Sequence, residues 1–124
     1  MNNIDIDKLI GDELNTAVLI ALGAELICGS YSVFWTLNGR RISDKRYAWK
    51  IADAWELDGD GWRWYFEESN TLRGELLRVW CRPDHRRESD MIEVFFADFP
   101  TKAAAYATAR CRAWLKAQQA EVAQ

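Results

Sequence analysis

A chain of 124 residues that is 49% hydrophobic and 28% charged can bury a core of its own and is too apolar to be disordered over its length. Sixteen Lys and Arg against nineteen Asp and Glu leave a net charge of −3, which argues against the broad basic field that nonspecific duplex binding draws on. The longest strongly apolar run, Ala17 to Leu22, is far short of a membrane span, and Met1-Asn2-Asn3-Ile4-Asp5 lacks the basic and apolar regions of a signal peptide.

These features predict one cytoplasmic domain over residues 1–124, with 118–124 as a fraying tail. Cys28, Cys81 and Cys111 are odd in number and have no C-x-x-C spacing, so they read as reduced thiols, at least two of them in the core. With a single histidine in the chain, no metal or cofactor is expected.

In chain order, Leu9, Ile10, Leu14, Ala17, Val18 and Ala21 form one helical stripe, starting near Asp7 or Asp12 and stopping at Gly23. Cys28 to Ile42 reads as a hairpin: the β-branched and aromatic run Tyr31–Leu37, then Asn38-Gly39, then a short return strand. Ser43-Asp44 caps a second helix to about Leu57, with Tyr47, Ile51, Ala54 and Trp55 on its inner face.

Asp58-Gly59-Asp60-Gly61 turns the chain into three strands, 62–67, 76–81 and 92–97, with Ser69-Asn70-Thr71 as a turn and Asp84–Asp90 as a loop. The last helix runs from Phe99-Pro100-Thr101 to about Gln118. Its predicted buried stripe is Ala104, Ala107, Cys111, Trp114 and Leu115, with Arg110, Arg112, Lys116 and Gln119 facing out. The predicted fold is α+β and sandwich-like, in the order α-hairpin-α-β-β-β-α, with one three-stranded antiparallel sheet and helices packed on it.

Leu22-Gly23, then Ser43, Asp44, Ala48 and Trp49, then Cys111, Ala113 and Leu115 in the alanine-rich last helix, carry a resemblance. The pattern resembles small phage and prophage proteins with a phage ABA-sandwich domain, over about Asp12 to Lys116. The Asn38-Gly39 hairpin and the loop from Pro83 to Asp90 depart from it. The resemblance implies an accessory protein of a phage or prophage and carries over no activity or site residues.

Catalytic signatures are missing from the sequence. His85 lies among arginines in a polar loop, which does not provide the desolvated setting of a general base. Asp58-Gly59-Asp60-Gly61 lacks the further ligands of a calcium loop, and there is no phosphate-binding glycine motif. The chain therefore reads as a non-enzyme.

Two binding readings follow. Seven Trp, five Phe and four Tyr exceed what one small core needs. Trp35 and Trp80 with nearby arginines would then form a protein-interaction surface, for another protein or for a second copy in a homodimer. The alternative is single-stranded nucleic-acid binding through Arg78, Trp80, Arg82, Arg86 and Arg87. It is the less favoured reading because Asp84, Glu88 and Asp90 interleave with those arginines.

Overall fold

The computed structural model describes residues 5–42, 47, 51–54, 57, 62–83 and 91–122. A one-turn 3-10 helix, Ile6–Lys8, is capped by the Asp5 carboxylate and leads into α1, Gly11–Ala21. Beyond Leu22, Gly23 takes a φ of +86°, and its N–H donates to Ile20 O at 3.0 Å, ending the helix.

Strands β1 (Glu25–Cys28), β2 (Val33–Leu37) and β3 (Arg40–Arg41) form one antiparallel sheet. Asn38 and Gly39 both have positive φ, 53° and 81°, the backbone of a two-residue turn whose twist matches the flanking strands. After the four-residue helix α2, Ile51–Ala54, a second antiparallel sheet comprises β4 (Arg63–Thr71), β5 (Gly74–Arg82) and β6 (Ile92–Phe95). The 3-10 turn Phe96–Asp98 then leads to α3, Lys102–Val122, where the Thr101 hydroxyl accepts from Ala104 N at 3.1 Å.

α3 is the centre of the molecule. Ala105, Ala109 and Ala113 pack onto Leu77, Val79, Ile92 and Val94 of the second sheet. Ala107, Cys111, Trp114 and Leu115 pack onto Leu14, Val18 and Leu19 of α1 and onto Tyr47, Ala54 and Leu57. Trp35 and Ile42 of the first sheet cover that second core from outside. Alanines on both sides let a central helix approach each layer closely.

Several expectations are corrected. There are two three-stranded antiparallel sheets, not one, because Glu25–Cys28 adds a strand beside β2 in the register Leu26 to Trp35 and Cys28 to Val33. Ser69-Asn70-Thr71 is not a turn but the end of β4, paired with Gly74–Leu76; the chain reverses at Leu72-Arg73 instead. Ala97 lies in the 3-10 turn, so the last strand ends at Phe95.

Arg110 and Arg112 do not face solvent: they are 2% and 8% exposed. A helix enclosed by two layers has no wet face along its middle, and each guanidinium must find an internal partner. Arg110 Nε donates to Ala54 O at 3.0 Å, and its guanidinium lies 3.8 Å from the centre of the Trp64 ring. Arg112 Nε donates to Leu9 O at 3.0 Å. Burial lowers the Arg112 pKa, while Asp7 and Asp5 pull it back up.

The predicted cap at Ser43-Asp44, Trp49 and Trp55 of the second helix, the turn 58–61 and the loop Asp84–Asp90 lie outside the described residues.

If α3 is held at contact distance on both sides, enlarging a small residue on it is costly. Ala109→Leu is expected to lower the unfolding free energy by about 1–3 kcal/mol through overpacking. Urea denaturation followed by tryptophan fluorescence measures it, and a change within error would show slack between α3 and the sheet.

Candidate protein-interaction surfaces

The strand pleat sorts the predicted arginine and tryptophan residues. On β5, Leu77, Val79 and Cys81 are buried under α3, so Arg78, Trp80 and Arg82 share the opposite face. Pairing brings Arg63 opposite Arg82, Tyr65 opposite Trp80, Glu67 opposite Arg78, and Arg78 opposite Glu93 on that same face.

Arg78 is therefore flanked on both sides by carboxylates: Nη1 lies 3.0 Å from Glu67 and Nε 3.6 Å from Glu93, with Ser69 Oγ at 3.4 Å from Nη1. Trp80 is half-buried and stacked on Tyr65, ring centres 5.4 Å apart and planes 13° apart. Arg82 is exposed. Arg86 and Arg87 lie outside the described residues, as does His85, so the structure brings together Arg78, Trp80 and Arg82 only.

Trp35 stands on the other sheet and is half-buried against the core of α1 and α3. Trp62 and Trp64 are half-buried as well, and Trp114 is buried. The described tryptophans thus serve packing more than display. Trp62, Trp64 and Phe66 stack in a row along β4, with ring centres 6.3 and 6.4 Å apart.

The displayed apolar side chains are different ones, and sequence reading missed them. On β1, β2 and the link between them, Leu26 is 48% exposed, Val33 61%, and Tyr31 wholly so, with Ile27 beside them. Pairing places Leu26, Cys28 and Val33 on the face shared with Trp35, but beyond the edge of the core. Ile27 and Phe34 occupy the other face, where the Arg41 guanidinium lies 4.9 Å from the Phe34 ring centre. The signal in the sequence was the run Glu25-Leu26-Ile27-Cys28, whose apolar residues do not alternate and so give the strand no polar side.

A cleft of about 180 Å³ lies at the far end of the second sheet, lined by Glu68, Ser69, Asn70, Glu75, Phe96 and Lys102. Its two carboxylates have structural partners. Tyr106 Oη donates to Glu68 at 2.6 Å, and Lys102 Nζ lies 3.8 Å from Glu75 and 5.0 Å from the Phe96 ring centre. Burial first, then the Glu68 hydrogen bond and charge, push the Tyr106 pKa up to about 12. Among the described residues no group of three or more His, Cys, Asp or Glu is placed to hold a metal ion, and no described helix is long and apolar enough to cross a membrane.

No family model, no curated protein and no solved structure matches the chain.

Two measurements follow from this geometry. Cys81 and Cys111 are buried, and burial pushes the Cys111 thiol up while Cys28 is exposed. The native protein is expected to yield one rapidly reacting thiol per chain to an aromatic disulfide reagent, and Cys28→Ser to yield none. Fast reaction of more than one would mean that the core opens readily.

Raising the Tyr106 pKa from 10 in the unfolded chain to about 12 means that its contribution is complete below pH 10 and lost as pH rises through 12. Absorbance titration should show Glu68→Gln bringing the last tyrosine transition towards pH 10. An unmoved transition would remove Glu68 as a cause.

Proposed function

We propose that the chain is a non-catalytic protein-interaction module and that the sheet β1–β3 is its contact surface. The observation that carries this is the exposure of Leu26 and Val33 on one face of the β1–β2 ladder, with Tyr31 displayed in the link between the strands and Ile27 exposed on the opposite face. Exposed aliphatic residues are common singly, but several on one short two-stranded ladder are what a partner covers. An apolar protein surface is the partner chemistry that fits, because the faces of β1 and β2 carry few charges.

The nucleic-acid reading draws less support. Of its described arginines, Arg78 is already balanced by Glu67 and Glu93, and Trp80 is stacked on Tyr65, so neither offers a free cation beside a free ring.

A reducing, cytoplasmic setting belongs to the same proposal and is supported by three thiols outside any disulfide, two of them buried. The phage or prophage accessory role rests on the sequence resemblance. In the structure Cys111, Ala113 and Leu115, which carry part of it, are core residues of α3.

A photo-crosslinking residue at Tyr31, in cells expressing the protein, is expected to yield a discrete protein adduct that Val33→Lys abolishes. The same residue at Leu72, fully exposed in the β4–β5 turn, is expected to yield none. A nucleic-acid adduct, or the same adducts from both positions, would overturn the proposal. Binding of labelled single-stranded DNA that weakens steeply with salt would favour the alternative.

A further inference from the structure

β4 is nine residues long and forms one margin of its sheet, with β5 on one side and no described residue paired on the other. Such a margin presents backbone N–H and C=O groups without strand partners, and proteins blunt it with proline, lysine, bulges or a covering helix. β4 has no proline and no lysine. It pairs with β5 without interruption from Arg63–Arg82 to Thr71–Gly74, and α3 packs mainly on β5 and β6, reaching β4 through Tyr106 and Arg110 on its inner face.

The margin is also self-complementary. Its centre reads Arg63-Trp64-Tyr65-Phe66-Glu67. Set antiparallel against a second copy about Tyr65, Arg63 of each chain falls opposite Glu67 of the other, Trp64 opposite Phe66, and Tyr65 opposite Tyr65. Opposite residues share a face, so the ion pairs form on the outer face and the Trp–Phe pairs on the inner one. Centring on Phe66 loses both ion pairs, and centring on Glu67 sets two carboxylates against each other.

A second observation supports this register. Within one chain Arg63 stands opposite Arg82, two like charges, and among the described residues no carboxylate lies opposite Arg63 on its open side. Glu67 of a second copy supplies it. The row Glu93–Arg78–Glu67 then continues into Arg63 of the second chain, with charge alternating across four strands.

We infer that the chain forms a homodimer by antiparallel pairing of β4 with β4 of a second copy about a two-fold axis at Tyr65, joining two three-stranded sheets into one of six. This surface is separate from the β1–β3 surface, so either proposal can fail alone.

Sedimentation of the full chain is expected to show a species of twice the 14.4 kDa chain mass that dissociates on dilution. Arg63→Glu, which sets carboxylate against carboxylate twice, should weaken the dimer by roughly tenfold or more. Val33→Lys should leave it unchanged.

In a Cys28→Ser background, Tyr65→Cys should form a disulfide with itself under mild oxidation. Arg63→Cys and Glu67→Cys should not do so alone but should do so when mixed, since only the Tyr65 register brings 63 against 67. A chain monomeric at all concentrations would overturn the inference, as would a dimer insensitive to Arg63→Glu or one split by Val33→Lys. Disulfides in another register would overturn it too, and a β4 margin occupied by a different protein would show as a monomer that Arg63→Glu leaves unchanged.

Discussion

The enclosure of α3 is the constraint on which the rest of the structure depends. From Ala104 to Leu115 every residue but Tyr106 is buried. A helix in that position must be thin on two sides, and the alternation of alanine columns with Cys111, Trp114 and Leu115 achieves it. It also leaves no solvent for the arginines that the helix carries. Desolvating a guanidinium without partners is expensive, so the positions of the segments around α3 are coupled to where Arg110 and Arg112 can donate.

Their acceptors are backbone carbonyls, Ala54 O at the end of α2 and Leu9 O ahead of α1. Lys116 adds an ion pair to Asp7 at 3.1 Å. The cations of α3 thus fasten α2 and the stretch from Asp5 to Leu9 to the centre of the molecule. Trp64 closes the arrangement from the sheet side by lying against Arg110, which makes one buried side chain common to all three layers.

Some of this was legible in the sequence and some was not, for identifiable reasons. Period-2 alternation in Trp62–Glu67 and Leu76–Cys81 located β4 and β5, because each has one face on α3 and one outside it. Asn38-Gly39 located the β2–β3 turn, because few dipeptides accept two successive positive φ angles. β1 escaped notice because Glu25–Cys28 is short, does not alternate and is exposed throughout; its strand character comes from pairing with β2.

Ser69-Asn70-Thr71 looked like a turn by composition, yet ladder pairing with Gly74–Leu76 overrode that preference. A single buried stripe on α3 would leave Arg110 and Arg112 facing solvent. Ala105, Ala109 and Ala113, spaced four apart, form a second stripe that was readable and indicates a helix covered on two sides. Of the predicted site, Arg78 and Trp80 do share a face, but the carboxylates that neutralise Arg78 sit on neighbouring strands, a cross-strand fact that no local window contains.

The two sheets end up with opposite surface chemistry, and the cause lies in what each one covers. The second sheet turns its inner face to the core, β5 and β6 mainly against α3, so its apolar residues are used internally. Its outer face is left with rows of paired charge and the stacked Tyr65 and Trp80. The first sheet lends only Trp35 and Ile42 to the core. Of its other apolar residues, Leu26, Ile27 and Val33 stay exposed among the described residues, beyond the core that α1 and α3 form beneath Trp35.

Burial of these residues would require more protein than the described chain supplies. A charged, aromatic face with an open strand margin selects by register and charge, where a one-residue slip is penalised at once. An apolar sheet face selects by shape and area and tolerates variation in detail. These are two different kinds of surface, and α3 lies between the sheets that carry them.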